Sequence, residues 1–138
     1  MMAEILNLIR QYEKPGDFTY STFSDAQSSE AQNILSLYIP AAYAEFLRMF
    51  GHGGICGIEI IGIGKTGKLL FVDETLKFRS YGLPDHLIVI ENCDEWVYCI
   101  DCRDGHIVSW SDDIAEDCYC DFDTYLLDRF KDGVENSI

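Results

Sequence analysis

Positive charge is what this sequence has least of. Ten Lys and Arg stand against 24 Asp and Glu in 138 residues, a formal charge of −14. A polyanionic ligand is disfavoured, because nucleic-acid binding needs a stripe of Lys and Arg on the phosphates. An anionic membrane surface asks for the same stripe. Long apolar runs are also missing. Stretches such as Leu87 to Ile90 fall far short of the roughly 18 residues of a membrane-crossing helix. No low-complexity tract is present. With 48% hydrophobic and 25% charged residues, the composition is that of an ordinary globular chain and not of a disordered one. The opening residues carry Glu4 early and lack a basic stretch or a small-residue cleavage site. They read as no secretory signal, and the expected compartment is the cytoplasm.

The acids that are present are unevenly placed. Residues 91–138 hold 14 acids against three bases, whereas residues 51–90 hold four of each. An acidic half is ordinarily a solvated face that aids solubility. The sharper reading is a docking face for a basic partner. The length fits one domain over residues 1–138.

Six cysteines stand at 56, 93, 99, 102, 118 and 120. A disulfide framework belongs to small secreted chains, which this one does not resemble. Cys99 to Cys102 has C-x-x-C spacing, but Cys118 and Cys120 have one residue between them, outside the two to four usual in zinc knuckles. The expectation is reduced thiols, several of them serving as small core hydrophobes. Gly62 to Gly67 matches G-x-G-x-x-G, and Gly64-Lys65-Thr66 matches the end of a P-loop. Such loops need a helix immediately after them. KLLFV at 68–72 reads as a strand instead, so a glycine-rich hairpin turn is expected. His52, His86 and His106 are scattered, and no serine sits in a nucleophile elbow. The acids between 112 and 123 lack the spacing of a calcium loop.

Apolar periodicity predicts a helix over 2–13, stopped by Pro15-Gly16-Asp17. Phe18, Tyr20 and Phe23 are loop anchors. Ser24 and Gln27 have capping-box spacing, opening a second helix to about Leu37. After Pro40 a third helix runs over Ala41–Phe50, with Gly51 placed for a left-handed cap. Strands are expected at 55–63, 68–72, 87–90, 96–101 and 106–110, with residues 73–83 irregular and 91–95 an acidic turn. Arg103-Asp104-Gly105 signals a hairpin. Asp112 to Asp121 reads as an acidic segment, and a last helix covers about 121–132. The fold class expected is α+β: N-terminal helices, a four- to six-stranded mostly antiparallel sheet, and a C-terminal helix packed on it.

The ordered set resembles a known family. Ile39-Pro40-Ala41-Ala42-Tyr43-Ala44-Glu45-Phe46-Leu47, continuing to Phe50-Gly51-His52-Gly53-Gly54, is similar to the helix-and-turn motif L-P-x-x-Y-x-x-F-L-x-x-x-N-G-G of the SUKH superfamily, the Smi/Knr-like proteins. Tyr98 to Asp101 and Ile107 to Trp110 resemble its paired strands. Asp121 to Leu126 resembles the start of its closing helix. The likeness covers about residues 24–132 and departs at His52, where the family often has Asn.

The resemblance implies a non-enzymatic domain with no catalytic residues and no cofactor. It implies a bacterial immunity protein that binds a cognate toxin domain and blocks it, many such toxins being nucleases. The alternative is a scaffold or ligand-binding module of the same fold without a toxin partner. A nuclease holds phosphates in a basic groove, and an acidic partner reaches such a groove fast through electrostatic steering. Asp112, Asp113, Glu116, Asp117, Asp121 and Asp123 put six acids in 12 positions without a base. This is the expected docking patch, extended by Asp94 and Glu95 if their turn lies nearby. Tyr119 or Trp110 would supply an anchor, since Tyr and Trp dominate binding hot spots. Ordinary core packing is the expected role of Trp110.

Overall fold

In the computed structural model, residues 1–137 are described, as five helices and four strands. The helices are α1 (Met2–Tyr12), α2 (Asp25–Leu35), α3 (Ala41–Phe50), α4 (Leu70–Arg79) and α5 (Phe122–Asn136). The strands are β1 (Leu87–Asn92), β2 (Val97–Asp101), β3 (Ile107–Ser111) and β4 (Ile114–Tyr119). They form one antiparallel meander in the order β1-β2-β3-β4. The α+β architecture, with helices before the sheet and one after it, is the one the sequence leads to.

The helix ends follow their local chemistry. Ser24 caps α2 in a full capping box: its Oγ accepts the Gln27 N–H, and the Gln27 side chain accepts the Ser24 N–H. Pro40 opens α3 with a φ of −58°, already near the helical value. Tyr43, Phe46, Leu47 and Phe50 then bury one face. The Tyr43 hydroxyl donates to the Ile61 carbonyl at 2.5 Å, so this buried phenol is satisfied.

Several expectations are corrected. Residues 55–63 form no regular strand. Their backbone groups are shared among several partners: Ile60 pairs with Gly53, the Ile61 N–H reaches the Ile90 carbonyl, and Ile63 reaches Gly51. Gly62 allows this crowding, because a Cβ there would sit 1.8 Å from the Gly51 oxygen. Second, KLLFV is not a strand. An Ile63–Leu69 bridge closes the glycine-rich turn, and α4 starts at once, burying Phe71, Val72 and Thr75. Five apolar residues cannot separate strand from helix by period alone, and a buried Thr hid the helical stripe. Third, the acidic segment after Asp112, to which the sequence reading assigns no element, is regular. It is strand β4, joined to β3 by a tight turn in which Asp112 and Asp113 take φ of 49° and 66°. This is the left-handed pair that a two-residue hairpin needs and that Asp tolerates. Glu91, expected in a turn, belongs to β1 and is buried.

The two edges of the sheet differ. Outside β1, the Thr75 hydroxyl accepts the Val89 N–H and the Ile61 N–H reaches the Ile90 carbonyl, so that edge is covered. Outside β4 no element pairs among the described residues, and the strand is exposed along its length except at half-buried Tyr119.

Candidate functional site

The open edge gathers most of the acids singled out in the sequence. Asp112 and Asp113 form the β3–β4 turn. Asp94 and Glu95 form the β1–β2 turn, and the two turns are tied by the Ser111 hydroxyl donating to the Glu95 carbonyl at 3.0 Å. Both turns line one cleft of about 340 Å³. Its walls are aromatic: Trp96, Trp110, and Phe78 and Tyr81 from the end of α4 and the turn after it. Trp96 is 37% and Tyr81 60% exposed, whereas Trp110 is a buried wall. Phe78 meets Tyr81 and Trp110 edge-to-face at 5.7 and 6.2 Å. Gly82 approaches closely, since a Cβ there would lie 2.9 Å from Asp113 Oδ1. Among the described residues, no hydrogen bond or ion pair engages the carboxylates of Asp94, Glu95, Asp112 or Asp113. Glu116 follows on β4, and Ile114 beside it is 61% exposed.

The other predicted positions lie farther along and are occupied otherwise. Asp117 contacts His106 Nε2 at 2.9 Å, and Asp104 contacts Nδ1 of the same ring. The hydrogen bond to Asp104, with the added pull of Asp117, raises the His106 pKa above its usual value although burial opposes it. Asp121 caps α5, accepting the Thr124 N–H at 2.8 Å, and this bond holds its carboxyl below the usual range. Asp123 sits in the first turn of α5, its pKa raised by burial and by the neighbouring Asp121 charge. Tyr119 is half-buried against Tyr98 and Tyr125 and donates to Asp128 at 2.6 Å. Its side chain is committed to the fold. The exposed aromatic groups on this surface are Trp96 and Tyr81, which sequence reading passed over. Trp96, directly after Asp94 and Glu95, was the available signal.

One group of metal-ligating type exists among the described residues: Asp101, Asp104 and His106, with donor atoms within 4.8 Å of one another. Asp101 is buried and both its oxygens are taken by Arg103, at 3.1 and 2.8 Å. Against the upward push of burial, these bonds hold its carboxyl below the usual range. With His106 also held by two acids, the donors are already paired within the protein. Cys99 is buried in the core, and burial pushes its thiol up. Cys93 and half-buried Cys102 are pushed up to about 12, chiefly by burial. None of these three has the lowered pKa of a nucleophilic thiolate. No helix among the described residues is long and apolar enough to cross a membrane.

His52, the departure from the expected Asn, is accounted for: its Nδ1 accepts the Gly62 N–H at 3.0 Å, and Nε2 lies 3.3 Å from Glu59. It satisfies backbone in the glycine-rich turn. A protein from Pseudomonas syringae pv. tomato, known from a crystal structure, shares this fold. The TM-score is 0.68 at 21% identity, over 84% of this chain and 86% of that one. The family model SUKH_5, described as SMI1-KNR4 cell-wall, matches residues 2–131. That span adds α1 to the motifs visible by eye, and this chain belongs to that family.

Proposed function

We propose that this chain is an immunity-type binding protein that docks on a basic toxin domain, of the nuclease kind, and covers its phosphate-holding groove. Family membership supports a binding role over catalysis. The observation that carries the docking face is one of charge and topology together. From Asp104 to Asp128 the sequence has eight acids and no Lys or Arg. That stretch includes the free edge strand β4, six residues long, which spans about 20 Å. A negative field along an open edge accelerates encounter with a cationic surface and is screened by salt. Affinity comes from desolvated anchors, for which exposed Trp96 and Ile114 are suited.

Co-expression with toxin-like products of neighbouring genes, scored by cell survival, tests the reading. Survival with this protein and death without it is the expected result. Death in both cases overturns it, and a scaffold module of the same fold takes its place. With the toxin in hand, Asp112→Lys/Glu116→Lys should slow association by about ten-fold or more at low ionic strength and much less at high salt. An unchanged on-rate removes this edge as the docking face.

A further inference from the structure

We propose that the cleft between the β1–β2 turn, the β3–β4 turn and the end of α4 takes the guanidinium of one arginine side chain presented by the partner protein. This deepens the docking reading and rests on it for the partner, but the cleft chemistry stands on its own observations. The walls are aromatic and partly exposed, as Trp96 and Tyr81 are. The rim carries the four carboxylates left unpartnered among the described residues, and among those residues no Lys or Arg lines the cleft. A cation enters such a site with two gains, Coulomb attraction at the rim and the negative π-faces within.

The shape selects among cations. Arginine is planar, stacks on aromatic rings and is weakly hydrated, so it loses little on entering a half-apolar cleft. A lysine ammonium holds its water more tightly and offers no flat face. An acid is repelled, and a neutral side chain leaves the rim uncompensated. The one cation–aromatic contact near these walls has Lys77 Nζ 5.5 Å over Phe78, but Glu74 holds it and it does not line the cleft.

The test needs no toxin. The chain has two tryptophans, and both line this cleft, so the two indole N–H signals in an NMR titration report its occupation directly. The probes are Nα-acetyl-arginine amide, its lysine counterpart and its neutral citrulline counterpart, at ionic strength matched with NaCl. Expected are saturable shifts of both indole signals with arginine, several-fold weaker binding with lysine, and none with citrulline. Asp112→Asn/Asp113→Asn should weaken the arginine response roughly two- to ten-fold. Asn accepts the left-handed turn, so the cleft keeps its shape. Shifts that never saturate, that citrulline reproduces, or that the double variant leaves unchanged overturn the proposal. Saturable arginine binding in a protein that neutralises no toxin sinks the immunity reading and leaves the cleft standing. Toxin neutralisation without arginine binding does the reverse.

Discussion

At the scale of single residues, the most consequential group lies away from the docking edge. Glu91 is 5% exposed and receives two bonds from Arg129, at 2.8 and 2.7 Å, plus one from the Tyr125 hydroxyl at 2.8 Å. The carboxylate hydrogen bonds raise the Arg129 pKa, so the guanidinium stays charged. Removing one partner strands the other. Arg129→Leu should cost about 3–5 kcal/mol in urea unfolding. Glu91→Leu/Arg129→Leu should be more stable than Arg129→Leu alone, because no buried charge is left behind. If the double variant is the weaker one, Glu91 stabilises the fold even without Arg129 and the reasoning is wrong. His106 gives a pH signature. Its pKa is raised from the usual 6.5, so the folded state holds the proton more tightly. That stabilisation is complete below about pH 6.5 and fades as pH rises through the folded value. The lowered pKa of Asp104 acts in a separate acid window, as pH falls through its own depressed value. The urea midpoint of the protein should exceed that of His106→Asn most at pH 6 and converge toward it by pH 9. A gap independent of pH would contradict this.

At the scale of elements, the acidic run divides into two kinds of residue. Asp112 and Asp113 build a turn and leave their carboxylates free, whereas Asp121 is spent on a helix cap. Asp121→Ala should therefore cost about 1 kcal/mol of stability, while Asp121→Asn, which still caps, should cost little. Thermal unfolding of the two variants separates them. Should Asp121→Asn leave stability intact and yet slow partner association, Asp121 serves both roles. The strand β4, which runs between these acids, illustrates edge protection. Glu116 and Asp117 on an unpaired strand discourage a second copy from adding itself there, and the same charges suit a basic partner. Such an element was hard to read from sequence because its side chains are exposed nearly throughout. Strand signals rest on burial of one face, and β4 buries almost nothing.

Across the whole molecule, legibility followed local determination. α1, α2, α3 and α5 announced themselves through caps and apolar stripes, and β1, β2 and β3 through short apolar runs ending in turns. The stretch from Gly51 to Arg79 did not. There Ile60, Ile61 and Ile63 share their backbone bonds among Gly53, Ile90 and Gly51, and no local period encodes partners that distant. The candidate site was half legible. Its acids stood out as a run without a base, but the run hid two that are held by His106 and by the α5 N-terminus. Half of the aromatic wall was invisible, since Phe78 and Tyr81 are contributed by a segment read as irregular.

The sequence by itself determined the charge, the order of helices and strands, and the motifs that place the chain in its family, because each depends on neighbours a few positions away. Tertiary structure alone decided which acids stay free, and that Trp96, Trp110 and Tyr81 line one cleft with them. Those choices depend on which side chains from distant elements arrive within a few ångströms, and folding sets that distance.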